Sequence, residues 1–143
     1  MTVARILAEK GRTVETVNPD MTIDTAIHRL AEKGIGALIV CGPDHALAGI
    51  ISERDVMRAL ARDGGAAFDA PVSRYMTAKV VTCTRDAAIE DVMATMTEQR
   101  FRHIPVMDDG RLAGIVSIGD VVKHRIAAVE ADYQAMRDYI TLA

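Results

Sequence analysis

Two serines each stand three residues ahead of an aspartate, and both pairs close an apolar run: Ser52 and Asp55 in GIISERD, Ser117 and Asp120 in GIVSIGD. Such a pair admits two kinds of chemistry. Ser followed by an acidic residue three positions on is a helix capping box, each side chain bonding the other residue's backbone N–H, worth about 1 kcal/mol and needing no ligand. The acidic group also suits the positive end of the helix dipole. The same geometry suits a ligand: a helix N-terminus offers free N–H groups to a phosphate, and a carboxylate in the first turn accepts from both hydroxyls of a ribose. The two uses are compatible.

The elements that must position these residues are duplicated. VETVNPDMTIDTAIHRLAEKGIGALIV, from Val14 to Val40, lies over VVTCTRDAAIEDVMATMTEQRFRHIPV, from Val80 to Val106. ALAGIISERDV lies over RLAGIVSIGDV, and the lead-in VARIL at Val3 resembles VSRYM at Val72. A repeat of this kind governs the rest of the reading. Each copy reads as a lead-in, a short strand (VETV; VVTC), a turn and helix start (Asn-Pro-Asp; Thr-Arg-Asp), and a helix. The apolar positions Ile23, Ala26, Ile27 and Leu30 recur at helical spacing, as do Ile89, Val92, Met93 and Met96. Two strands joined by a Gly- and Asp-bearing turn follow, then a second helix from Ser52 or Ser117. The order is β-α-β-β-α, twice: an α/β fold of two pseudo-symmetric repeats packed face to face, with ligand-sized clefts between them. The expected spans are 1–65 and 66–125 for the repeats and 126–143 for a helical extension, with the Gly/Ala-rich LARDGGAAFDAPV as the boundary.

Composition narrows the function classes. The net charge is −3, which argues against a general nucleic-acid binder. Aromatic residues make up 3 %, so the core must come from Val, Ile, Leu, Ala and Met. Cys41 and Cys83 sit in apolar, strand-like runs outside any CxxC pattern and read as reduced, buried thiols. The longest apolar run, ALIVC, is too short for a bilayer, and no charged segment followed by an apolar stretch opens the chain. The expectation is a cytoplasmic protein with no membrane partner. His28, His45, His103 and His124 lack zinc-ligand spacing, and Gly34-Ile35-Gly36 reads as a helix C-cap, not a dinucleotide fingerprint. No nucleophile or acid–base pair stands out, so no catalytic residue and no metal site are assigned.

GIISERD, VSRYMT and MTEQRFRHIPVMDDGRLAGIVSIGD, in two ordered copies, resemble a tandem pair of cystathionine-β-synthase (CBS) domains, the Bateman module, from about Val3 to Lys123. The resemblance implies a stand-alone regulatory module for adenosine-containing nucleotides, with AMP the first choice, then ADP, ATP and NAD, then S-adenosylmethionine. It implies that Asp55 and Asp120 bind ribose, and that Ser52 and Ser117 contact ribose or phosphate. The adenine would lie near Thr16, Val17, Thr82, Ala37, Ile104 and Pro105. Arg102 and His103, present where the first copy has Gly36 and Ala37, would reach the phosphate of the nucleotide at Ser52 and Asp55, with Arg54 adding positive field. The site at Asp120 would then lack charge. The alternative for Arg100, Arg102 and His103 is a solvated basic strand edge.

The tail carries Val122, Ile126, Val129, Tyr133, Met136 and Ile140 alternately four and three apart, the seam of a coiled coil or of a helix lying on its own domain. Tandem CBS pairs commonly dimerise, so the expected state is a homodimer signalling to a partner protein by conformational change. The rival readings are a nucleotide-independent structural or interaction module, and a small nucleotide-directed enzyme.

Overall fold

The computed structural model describes residues 1–11 and 13–142. It contains α1 (Val3–Lys10), β1 (Thr16–Val17), α2 (Ile23–Lys33), β2 (Ala37–Cys41), β3 (Leu47–Ser52) and α3 (Glu53–Asp63). The second copy gives β4 (Cys83–Thr84), α4 (Ile89–Gln99), β5 (His103–Asp108), β6 (Arg111–Ser117) and α5 (Ile118–Leu142). The β-α-β-β-α order holds in both. The chain divides into two compact units, Thr13–Val81 with Asp109–Ala113, and Met1–Arg12 with Thr82–Asp108 and Gly114–Ala143.

In the unit built on the first copy, β1 runs parallel to β2 and β2 antiparallel to β3. All five residues of β2 are buried, whereas β3 buries Gly49 and Ile51 and leaves their neighbours half-exposed. Helix α2 starts at Thr22, whose hydroxyl accepts from the Thr25 N–H, and stops at Gly34 in a left-handed conformation. Its stripe of Ile23, Ala26 and Leu30 meets Val17, Leu38, Val40, Ile51, Val56 and Val72 in one core. Burial of each large aliphatic side chain contributes about 1.5–3 kcal/mol. Val72 belongs to the second lead-in, which is tied down by paired backbone hydrogen bonds between Thr77 and Ile50 at 3.0 and 2.9 Å.

The other unit repeats this plan around a sheet ordered β4-β5-β6. The β5–β6 turn places Asp109 and Gly110 at φ 50° and 76°, the conformation that two-residue hairpin turns demand. At the end of α4 the left-handed position is taken by Arg100, where the first copy has Gly34. The first lead-in, α1, docks here: Val3 and Ala4 donate to the Ala87 and Arg85 carbonyls, and Val3, Ile6 and Leu7 are buried. Each lead-in therefore packs with the copy it does not precede. The sequence-read boundary at 125/126 falls inside α5, which continues unbroken to Leu142.

The recurring Leu-Ala-Gly-Ile phrase has a steric reason. A Cβ on Gly49 would lie 2.7 Å from the Thr77 carbonyl oxygen and 2.8 Å from the Met76 sulfur. A Cβ on Gly114 would lie 2.6 Å from a Leu7 methyl. Both glycines let a lead-in lie against the sheet. We predict that Gly49→Ala, which meets backbone, lowers unfolding stability by about 1–3 kcal/mol, and that Gly114→Ala costs less because the Leu7 tip can turn aside. Urea denaturation of both variants checks this; equal losses would contradict it.

Candidate functional site

In each copy the last strand enters the next helix with no intervening loop, so Ser52 is both the end of β3 and the N-cap of α3. Its N–H and hydroxyl donate to Asp55 Oδ2 at 2.8 and 3.0 Å, and the Asp55 N–H donates back to the Ser52 hydroxyl at 3.3 Å. The capping box is complete. The Thr77 hydroxyl donates to the other carboxylate oxygen, Oδ1, at 3.3 Å. Asp55 is 8 % exposed, one of two buried polar or charged side chains among the described residues. A buried carboxylate must be hydrogen-bonded, and Ser52 and Thr77 supply neutral donors. Two oxygens can accept about four hydrogen bonds, and three are made here, so about one acceptor position remains.

The second copy keeps the cap and changes the partner. The Ser117 N–H donates to Asp120 Oδ2 at 2.9 Å and the Asp120 N–H to the Ser117 hydroxyl at 3.1 Å. Here the Lys10 ammonium, at the end of α1, lies 2.7 Å from Asp120 Oδ2 and also donates to the Ile115 carbonyl at 3.0 Å. Burial pushes the Asp120 carboxyl up, but the Lys10 hydrogen bond and charge and the bonds from Ser117 outweigh it and hold the group below its ordinary value. Beside it Glu9 meets the buried His124 at 2.8 Å, and the other ring nitrogen of His124 faces the Asp120 carbonyl at 2.9 Å.

The residue just before each β-hairpin is bound to the same helix start. The Glu53 N–H donates to the Gly36 carbonyl at 3.0 Å, and the Ile118 N–H to the Arg102 carbonyl at 2.7 Å. Ala37 is the register partner of Ser52. Ala37, Ile104 and Pro105 are buried, Val17 is buried beside half-buried Thr16 on β1, and Thr82 is exposed just before β4. Arg54 is exposed in the first turn of α3, Arg102 is exposed, and His103 is half-buried at the start of β5. Ser52, Asp55 and Ala37 are thus gathered in one unit, and Ser117 and Asp120 with the Arg102 carbonyl in the other. Thr77 and Lys10 lie outside the site residues that the sequence suggests. Thr77 closes the quoted VSRYMT, so its motif was visible, whereas nothing local marks Lys10. Cys41 is buried and Cys83 half-buried, and burial pushes both thiols up, that of Cys83 to about 11.

Among the described residues no cluster of His, Cys, Asp and Glu has the arrangement of a metal site, and no helix is long and apolar enough to cross a membrane. The chain matches the CBS domain family over residues 5–62 and again over 72–127. A mitochondrial CBS domain-containing protein of Arabidopsis thaliana is 33 % identical over 97 % of this chain and 71 % of its own length. A CBS-domain protein of Agrobacterium tumefaciens, known by crystal structure, is 46 % identical with a TM-score of 0.86, covering 87 % of this chain and 99 % of that one. The CBS domain pair of protein MJ0100, solved in complex with 5′-methylthioadenosine and S-adenosyl-L-methionine, is 26 % identical with a TM-score of 0.79, over 90 % and 98 % of the two chains.

The ion pair at Asp120 makes a signed prediction. In the unfolded chain Asp120 titrates near about 4, and in the fold it titrates lower. Its contribution is therefore full above about pH 4 and drains as pH falls through the folded value. Lys10→Met should be less stable than the wild type at pH 7, and the gap should close below about pH 4 as the carboxyl protonates in both proteins. Urea midpoints across pH 3–7 measure it; a gap independent of pH would show that the Lys10 charge is not responsible.

Proposed function

The chain belongs to the CBS-domain family, with two copies of the domain, and we propose that it is a regulatory module whose ligands are adenosine-containing nucleotides. The observation that carries this reading is Asp55: a buried carboxylate fixed at a helix N-terminus by Ser52 and Thr77, with one acceptor position left for a ribose hydroxyl. The related MJ0100 pair, solved with two adenosine compounds, supports the ligand class. AMP is the first choice, with ADP, ATP and NAD next and S-adenosylmethionine also in the class. The family resemblance assigns Ser52 to the ribose or phosphate, Arg54, Arg102 and His103 to the phosphate, and Thr16, Val17, Thr82, Ala37, Ile104 and Pro105 to the adenine.

The site at Ser117 and Asp120 is proposed to bind the same class by a different balance of charge. There Lys10 neutralises one carboxylate oxygen and brings a cation for a phosphate, so this site favours a phosphorylated nucleotide over a bare adenosine. This departs from the sequence expectation of an uncharged second site. No reaction is proposed: binding biases one arrangement of the module over another, and a regulated protein responds to that bias. A homodimer is the proposed assembly. The complete Ser52–Asp55 cap, which satisfies the start of α3 from within the chain, is the observation behind the second reading, a structural interaction module.

Calorimetric titration with AMP, ADP, ATP, NAD and S-adenosylmethionine separates the two. Asp55→Asn retains an amide oxygen for the Ser52 N–H and removes the charge, so the cap persists while charge-assisted bonds to the diol are lost. One of the five should bind, and Asp55→Asn should weaken it about tenfold or more. No heat from any ligand, on protein free of carried-over nucleotide, would establish the interaction module. Undiminished binding by Asp55→Asn would move the ribose elsewhere.

A further inference from the structure

Helix α5 presents two different sides. Val121 and His124 are its buried residues and Ala128 is half-buried, one stripe that holds the helix to its unit. Arg125 bonds Glu90 on α4 at 3.1 Å beside that stripe. On another side run Val122, Ile126, Val129, Tyr133, Met136 and Ile140, which are 40–66 % exposed. Apolar residues alternating four and three apart over a helix of 25 residues, about 37 Å long, form a heptad seam left uncovered by the chain itself. Contiguous exposed apolar surface of this kind marks an interaction site.

The charges beside the seam select the occupant. With Ile126, Tyr133 and Ile140 at the a positions and Val122, Val129 and Met136 at d, the e positions are Lys123, Glu130 and Arg137. The g positions are Arg125, Asp132 and Tyr139. In a parallel, in-register pair each g residue faces the e residue of the next heptad on the other helix. That sets Arg125 against Glu130 and Asp132 against Arg137, opposite charges in both cases and twice over by symmetry. Arg125 keeps donors to spare beyond its bond to Glu90. In a reversed pair e meets e and g meets g, which sets Lys123 against Arg137, Glu130 against Glu130 and Asp132 against Asp132. From this complementarity we infer that the occupant of the α5 seam is the α5 of a second copy of this chain, parallel and in register from Val122 to Ile140.

The inference concerns α5 alone and is independent of nucleotide binding. Single cysteines in the full-length chain, with Cys41 and Cys83 replaced by alanine, test it under mild oxidation. Val129→Cys and Met136→Cys should each cross-link to their own counterpart, because facing d positions lie within disulfide reach, while Asp138→Cys, at an outer f position, should not. Asp132→Arg should weaken the dimer about tenfold in sedimentation, Arg137→Asp similarly, and the double exchange should restore it. Overturning results are cross-linking that requires a mixture of Val129→Cys and Tyr133→Cys chains, which would mean an antiparallel pair, or chains that stay uncross-linked, which would mean that another partner covers the seam. Failure of the double exchange to restore association would remove the Asp132–Arg137 pairing and the parallel register with it.

Discussion

A strand that runs straight into a helix leaves the first N–H groups of that helix without intrahelical partners. The rest of each unit depends on how they are satisfied. In both copies a serine ends the strand and an aspartate three residues on returns the bond. The cap fixes where the strand stops, hence the register of β3 on β2, and brings Ala37 opposite Ser52. It also holds a carboxylate in one orientation at the positive end of a helix, which no flexible surface aspartate would keep. Stability and the ligand site proposed at Asp55 thus rest on the same three hydrogen bonds in the first copy.

The copies then diverge through what reaches the carboxylate from outside the motif. Asp55 receives a hydroxyl from Thr77, and Asp120 receives an ammonium from Lys10. Both donors come from or just beyond a lead-in, so the lead-ins act on the chemistry as well as on the packing. A hydroxyl leaves the carboxylate's charge in place, whereas an ammonium offsets it. Two sites with one ancestral motif are in this way given different electrostatics.

The repeat, the element order and the Ser-x-x-Asp pairs were legible because they are local or because each appears twice. Gly34 as a helix stop was legible for the same reason, since a left-handed terminus has a residue preference that a sequence displays. Arg100 in the same conformation was not, because arginine carries no such signal. The docking of α1 beside α4 and α5 was hidden for a different reason. Val3, Ile6 and Leu7 announce an apolar face but not which sheet it covers, and the Lys10–Asp120 bond spans 110 residues. The short β1 and β4 come in the expected order with two residues each, β1 inside VETV but β4 moved to Cys83–Thr84 at the end of VVTC, since their extent is set by pairing and not by their own composition.

The exchange of lead-ins bears on how the chain is made. Synthesis proceeds from the N-terminus, and domains ordinarily fold as they emerge. Here α1 is made before its seat, which is formed by Ala87, Gly114, Asp120 and His124. The unit around Thr13–Val81 has its own second lead-in within reach and can consolidate early, while α1 waits, with Val3, Ile6 and Leu7 uncovered, until α5 is released. The closing step of folding therefore seats α1 against α5, so that loss of either helix damages the same unit.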